Sequence, residues 1–542
     1  METFATLLDG LATTQSRNRK VALLGRYFRA TSDPDRGWAL AALTDGLPVR
    51  VPLRRMLADL MLRVIDPVLY KMSRDYVGDT AETVALLWPD TAAPRATGDT
   101  PTLDAVVAAM SIGTIAERTE ALRTFLDALN PSGRWALLKL IGGAPRVGVS
   151  ARLARTALAE CYGRDVGEIE EIWHALDAPY EALFRWLDGV ADRPDPGLRP
   201  TFRPVMLAHP IDDDDWPKLS ATDFAAEWKW DGIRVQIAAR GGEVRMFSRQ
   251  GDDISAAFPE IRSAFMSQHC VADGELLVMR GGNTIAPFND LQQRLNRKTV
   301  TAKMLRDYPA HVRLYDLLFE GEEDLRALAF SVRRRRLETW HAHNHPPLTD
   351  LSDLVAFETF DALSALWSQA RDDGIEGLML KRRDSAYQAG RVKGQWFKWK
   401  RAALTLDCVL MYAQRGSGKR SSFYSDYTFG VWRTKSDGGP DAGDELVPVG
   451  KAYSGFTDDE LRQLDKWVRT NTTESFGPVR AVTPGLVFEV AFDAVQRSAR
   501  HKSGVAMRFP RIHRIRWDKP ATEADRLETI LSLIKPVSQP VA

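Results

Sequence analysis

The segment Phe224-Ala-Ala-Glu-Trp-Lys-Trp-Asp-Gly-Ile-Arg-Val-Gln-Ile237 sets Lys229 and Arg234 inside apolar, strand-like sequence. An amine in such a place is costly unless it is paired or used. Desolvation and nearby cations lower a lysine pKa, and the neutral amine is then a nucleophile. Lys-x-Asp-Gly also suits a plain hairpin with a solvated lysine, so the surrounding chain must decide.

With 542 residues, the chain is too long for one core, and about two to four domains are expected. The 44% hydrophobic and 27% charged content is ordinary for globular protein. A net charge of +1 confines any nucleic-acid surface to a local basic patch. Cys161, Cys270 and Cys408 are far apart and form no Cys-x-x-Cys, which argues against a zinc ribbon and a disulfide framework and fits a reducing cytosol. The start, Met1-Glu-Thr-Phe-Ala-Thr-Leu-Leu-Asp-Gly-Leu11, has early acids unlike a signal peptide, and no long uncharged run suggests a membrane span.

Residues 1 to about 190 read as helical, with apolar residues three and four apart, as in Leu103–Met110 and Ala116–Leu129. Turns are expected at Ser32–Pro34, Arg95–Pro101 and Asn130–Gly133. Residues 190–204 hold four prolines and a glycine and read as a linker. Strands then dominate: Ile233–Ala239 and Glu243–Ser248 flank Arg240-Gly-Gly242 as a hairpin, with further strands at Val271–Met279, Ala310–Phe319 and Gly377–Lys381. Pro287–Asp307 and Ser331–His341 read as helices. From Leu404 onward, short runs such as Leu406–Tyr412, Tyr427–Arg433 and Leu486–Phe492 suggest a small barrel of five or so strands. No internal repeat is evident.

Downstream of Lys229 stand more chemistry-bearing stretches: Ser248-Arg249-Gln-Gly251, Ala272-Asp-Gly-Glu-Leu-Leu-Val278, Leu314-Tyr-Asp-Leu-Leu-Phe319, Glu376-Gly-Leu-Met-Leu-Lys381, Arg391-Val-Lys-Gly-Gln-Trp-Phe-Lys-Trp-Lys400 and Arg508-Phe-Pro-Arg-Ile-His-Arg-Ile-Arg-Trp-Asp-Lys519. Strand periodicity puts Glu376 and Leu380 on one face and Lys381 on the other. Lys398 and Lys400, alternating with Trp399, share a face. Singly, each stretch also has an ordinary structural reading, as a turn, a core aromatic or an edge strand.

In this order and spacing the stretches resemble the nucleotidyl-transfer motifs of ATP-dependent DNA ligases and their relatives, the RNA ligases and capping enzymes. The resemblance spans residues 205 to 519. It implies that Lys229 takes AMP as a phosphoramidate. Arg249 then contacts sugar or phosphate, and Glu275 the ribose hydroxyls or a metal. Tyr315 stacks on adenine, with Phe319 the second choice, and Glu376 serves Mg²⁺, with Mn²⁺ the alternative. Glu227, Arg234 and Arg391 join the nucleotide-binding set, with Lys381 in support. Lys398 and Lys400 clamp the α-phosphate and, as like charges, keep Lys229 neutral. Arg508 and Arg511 orient the leaving pyrophosphate.

Leu137–Leu158 includes Arg146-Val-Gly-Val149 and resembles a segment of the helical DNA-binding domain of larger cellular ligases. Gly142, Gly143 and Gly148 would let amides approach phosphates, and Arg146, Arg152 and Arg155 would add counter-charge. Gly-Gly-Ala-Pro is a departure from the usual basic-apolar approach. His341-Ala-His-Asn-His345 reads as a helix-end loop rather than a metal cluster, and Arg333–Arg336 as an exposed helix face.

The fold class expected is multidomain: an all-α domain (1–198), an α+β nucleotidyltransferase domain (199–403) and a C-terminal OB-fold β-barrel (404–542). The expected function is ATP-dependent sealing of nicked double-stranded DNA in repair, recombination or replication, by a cytoplasmic, nucleoid-associated monomer. Alternatives are a non-catalytic nick-binding clamp and an RNA ligase. An intact Lys229, Glu376 and Lys398 disfavours the first, and the helical segment with Arg-Phe-Pro-Arg the second.

Overall fold

The computed structural model describes residues 1–14, 16–77, 79–89, 100–143, 145–281, 284–295, 297, 299–369, 375–400, 403–415, 423–434, 443–498 and 501–534. The chain divides into two compact units, one of Met1–Ala12 and Ser16–Arg401, the other built on 402–542.

Helices fill the first unit from Glu2 to Leu187. Their starts are written in local chemistry. Ser16, Asp79, Thr102, Asn130 and Ser150 each accept an amide of the first turn, and Thr114 forms a capping box with Glu117. The expected turns at Ser32–Pro34 and Asn130–Gly133 fall at helix boundaries, whereas Arg95–Gly98 and Asp99 of the third lie outside the described residues. No described helix is long and apolar enough to cross a membrane.

The proline-rich stretch 190–204 carries no helix or strand, yet the unit is continuous across it. Arg326 binds Glu171 at 2.6 Å, and Arg245 donates to the His174 carbonyl at 2.8 Å. The His174 ring packs 4.5 Å from Phe247 and 6.4 Å from Phe202, and burial pushes its pKa down to about 4.

Beyond this stretch lie the strands that position the site: β1 (Phe224–Trp230), β2 (Ile233–Arg240), β3 (Glu243–Ser248), β4 (Cys270–Arg280), β5 (Ala310–Glu320), β6 (Ile375–Arg382) and β7 (Trp396–Lys400). One sheet runs Thr349–Leu351, β5, β4, β2, β3; another runs Leu354–Val355, β1, β6, β7, His209–Pro210. The hairpin expected at Arg240-Gly-Gly242 joins β2 to β3.

Two register shifts matter for function. On β6, Ile375 faces Trp230 and Gly377 faces Lys229, so Glu376 is an extra residue. On β5, Asp316 faces Asp273 and Leu314 faces Gly274, so Tyr315 is extra. Such bulges break the strict alternation of side chains and re-aim one of them.

The structure corrects two sequence expectations here. Pro287–Asp307 is not one helix but two short ones, Phe288–Gln292 and Ala302–Asp307. The reason lies in Arg294: fully buried, its guanidinium satisfies the Ala257 and Tyr308 carbonyls and pairs with Glu260, which ties down the chain just past the first helix. Nor is Arg333–Arg336 an exposed face, because Arg333 and Arg334 are buried. Asp316 is buried inside β5 and requires a counter-charge, which Arg333 supplies through paired contacts of 2.9 Å. His341–His345 closes the helix Phe330–Asn344, with His345 in the left-handed region as its cap.

The second unit is centred on the strand Leu404–Arg415, which pairs with Tyr424–Thr434, Val479–Val482 and Val487–Phe492. Asp444–Ala452, Thr472–Phe476 and Arg511–Arg516 extend that sheet, while Ala494–Arg497 and Val505–Arg508 form a separate pair. More strands are present than sequence suggested, and the helix Asp458–Asn471, begun by a Thr457–Glu460 capping box, was not foreseen. Tyr427, Phe429 and Phe488 lie in the core, the rings of Tyr427 and Phe488 being 5.6 Å apart.

Candidate active site

Lys229 lies near the end of β1, opposite Gly377 of β6, which in turn lies opposite Lys400 of β7. These three strands therefore present Glu227, Lys229, Lys381, Lys398 and Lys400 on one face. The turn from β1 to β2 passes so close to β4 that a Cβ on Gly232 would come within 2.6 Å of the Leu276 carbonyl. Glycine thus lets the Asp231 turn lie against β4 and brings the two sheets together.

Glu376 occupies the bulge and links the amines: Oε2 accepts from Lys229 Nζ and Oε1 from Lys400 Nζ. Burial alone would raise its pKa, but the two ammonium groups hold it below the usual range. This corrects the expectation that Glu376 and Lys381 face opposite ways. Without the bulge Glu376 would share the face of Leu380, which is fully buried among Phe224, Ala226 and Phe397.

Lys381 instead pairs with Glu227, at 3.0 Å to both carboxylate oxygens, and each residue is 2% exposed. Ser352 donates to the same carboxylate at 3.2 Å. Burial lowers the Lys381 pKa against the opposing pull of Glu227. The Lys381 ammonium also lies 4.3 Å from the centre of the Tyr315 ring. Tyr315 is half-buried; Phe319, the second choice for a base platform, lies between Arg203 and Arg326 instead.

Glu275 faces Arg234 across β4 and β2. Desolvation pushes its carboxyl up to about 7; Lys229 and Arg234 oppose this, while Glu376 and Asp231 add to it. Burial is thus the larger cause of the shift, with the Glu376 and Asp231 carboxylates adding to it. Among the described residues no cluster of three or more His, Cys, Asp or Glu forms a ready-made metal cage. Two carboxylates completed by phosphate oxygens and water nevertheless suit a cation such as Mg²⁺.

Arg234 is already engaged: it donates to the Met206 carbonyl at 2.6 Å, Asp273 at 2.6 Å and Tyr387 at 2.8 Å. Asp273 is fully buried and also receives Tyr387 and Gln236. These partners of Arg234 were missed from sequence; Asp273 was quoted without this role, and Tyr387 lies in no motif. Burial lowers the Lys398 pKa, and Lys400, Arg391, Arg249 and Lys229 lower it further. Five cations therefore share one field, as needed for a polyphosphate. Arg249 and Arg391 are exposed.

Five expected residues lie elsewhere. Arg508 ends the strand Val505–Arg508, its guanidinium 5.0 Å from the Phe509 ring, and Arg511 pairs with Asp493 at 3.2 Å, both in the second unit. Arg146 is exposed in the connector before the helix Ala151–Tyr162, and Arg152 is also exposed. Arg155 is not available as surface counter-charge: it is 3% exposed, 3.7 Å from buried Glu170 and 5.3 Å from the Trp173 ring. It falls on the inner face of that helix, which packs against the neighbouring helix Val166–Trp173.

Residues 205–400 match the family model described as ATP dependent DNA ligase domain, and residues 420–519 match that of the ATP dependent DNA ligase C terminal region. A probable DNA ligase of Koribacter versatilis is 31% identical over 97% of this chain and 95% of its own length. DNA ligase 1 of Korarchaeum cryptofilum is 32% identical over 79% of this chain and 77% of its own. The solved structure Pmar-Lig_PreS3 is similar in fold, with a TM-score of 0.56 at 17% identity, over 95% of this chain and 99% of that one.

Proposed function

The chain belongs to the ATP-dependent DNA ligase family, and from that premise we propose that Lys229 is the residue that carries AMP. Ligases of this family join DNA through a lysyl-AMP intermediate and use ATP with a divalent metal. The observation that carries the assignment is the grouping of Lys229 with Glu376, Lys400 and Lys398 on one face of a sheet.

In this reading the Lys229 nitrogen attacks the α-phosphorus of ATP. The ammonium first gives up one proton to become a nucleophile; a nitrogen–phosphorus bond then forms, the bond to pyrophosphate breaks, and the nitrogen sheds its second proton to solvent. Oε2 of Glu376 already touches that amine and is the acceptor within reach. AMP then passes to the 5′-phosphate of a nick, and the 3′-hydroxyl displaces it. Each displacement needs charge neutralisation, which Lys398, Lys400, Arg249 and Arg391 provide. Glu275 and Glu376 would hold Mg²⁺, with Mn²⁺ as the alternative, to screen the phosphate oxygens.

Tyr315 supplies the adenine platform, with Lys381 and Glu227 fixing its surroundings. Arg234 acts as a brace between strands more than as an open ligand, given its three partners. The helical region 1–198 grips nicked duplex through Arg146 and its neighbours. The second unit is an OB-type barrel supplying Arg508 and Arg511. The enzyme acts as a monomer, in the cytoplasm at the nucleoid. Incubation with α-labelled ATP followed by peptide mapping tests the assignment: label on the peptide containing Lys229 is expected, and label on another lysine would overturn it.

A further inference from the structure

The connector between the helices Pro131–Ile141 and Ala151–Tyr162 is held from inside by a lysine. Lys20, in the first turn of the helix Arg17–Ala30, is 8% exposed. Its Nζ donates to the carbonyls of Val147 at 2.9 Å and Gly148 at 2.7 Å. Among the described residues it has no carboxylate partner within ion-pair distance, and burial lowers its pKa. A buried ammonium spent only on two carbonyls is an expensive way to shape a loop, so the shape of this loop calls for a reason.

In a planar trans peptide the carbonyl and the following N–H point in opposite directions. Drawing the Val147 and Gly148 carbonyls inward turns the N–H groups of Gly148 and Val149 outward. Gly148 is exposed and Val149 half-buried, and among the described residues neither amide has an acceptor. Gly148 has φ +69°, and a Cβ there would come within 2.4 Å of the Lys20 amine, so glycine and lysine are fitted to each other. Arg146 before these amides and Arg152 after them are exposed. Consecutive outward amides flanked by guanidinium groups make a seat for a phosphate oxygen.

We propose that Lys20 is a positioning residue, which turns the Gly148 and Val149 amides, between Arg146 and Arg152, toward a phosphate of the DNA backbone. It acts through two peptide planes and does not touch DNA itself. The inference rests on the reading that the helical region grips nicked duplex.

The test uses the full chain and a labelled nicked duplex, with affinity followed across a salt series and lysyl-AMP formation measured in parallel. Lys20→Met should weaken nick binding roughly tenfold or more, as expected for lost hydrogen bonds to a charged group. It should make the slope of log affinity against log salt shallower by about one, and leave lysyl-AMP formation unchanged. Lys20→Arg, which retains donors, should recover part of the affinity. In the wild-type protein, the amides of residues 146–150 should gain hydrogen-exchange protection when the nicked duplex is added, a readout that holds even if Lys20→Met fails to fold. A wild-type protein that binds nicks without protecting this segment, or a folded Lys20→Met variant with wild-type affinity and salt slope, would overturn the role of Lys20. A wild-type protein that does not bind nicks at all would overturn the underlying reading as well.

Discussion

The ammonium of Lys381 lies 4.3 Å from the centre of the Tyr315 ring, although the two residues belong to different sheets. The contact ties the strand that carries Tyr315 to the sheet that carries Lys229. It depends on the bulge in β5, which adds Tyr315 to the strand and frees its ring from the regular alternation. Tyr315→Ala should therefore weaken ATP use by about 1–3 kcal/mol, the scale of base stacking, while Tyr315→Phe should stay close to wild type. An ATP titration of lysyl-AMP formation measures this, and an unchanged titration for the alanine variant would return Tyr315 to the core.

The Lys381–Glu227 pair is buried on both sides. Removing one partner strands a charge, so Lys381→Met is expected to destabilise the protein by about 3–5 kcal/mol. Combining it with Glu227→Gln should recover much of that loss. Urea unfolding of both single variants and the double variant reads out the cycle; additive losses would mean that the pair is not coupled.

Lys229→Ala should abolish lysyl-AMP formation and still bind nicked duplex. It should also retain some sealing of a pre-adenylated nick, since only the first displacement needs the amine. Persistent ATP labelling of this variant would remove the central assignment.

Arg508 and Arg511 lie beyond residue 401, in the second unit. If they orient pyrophosphate, Arg508→Ala or Arg511→Ala will slow lysyl-AMP formation far more than sealing of a pre-adenylated nick. Single-turnover rates of the two steps decide this, and equal losses would assign the motif to sealing or to stability.

His174 is held neutral in the fold, its pKa lowered from 6.5 to about 4 by burial. The unfolded chain binds the proton more readily, so this stabilisation is present above pH 6.5 and is lost as pH falls toward 4. The loss amounts to roughly 3 kcal/mol at most. His174→Phe, flanked by Phe202 and Phe247, should flatten that part of the pH profile. Urea midpoints at pH 7.5 and pH 5 for the two proteins check it, an identical drop in both proteins excluding His174 as the source.

Residue order alone made the motifs legible: a lysine in an Asp-Gly setting, and acids and amines in an ordered series. These are local signals, carried by neighbours within a few residues, and the hairpin at Arg240–Gly242 was legible for the same reason. Which side chains meet was settled by the pairing and packing of distant segments. Strand periodicity placed Glu376 opposite Lys381, and one inserted residue reversed that, because a bulge is a property of pairing between strands and not of either strand alone. The burial of Arg333 against Asp316, of Arg155 against Glu170, and of Lys20 beneath Val147 and Gly148 was likewise illegible, since each partner comes from another element and a basic residue far from its partner reads as surface. Across 190–204 the first unit is held by Arg326 reaching Glu171, residues 155 positions apart, and by Arg245 reaching the His174 carbonyl, contacts that no linker composition could reveal.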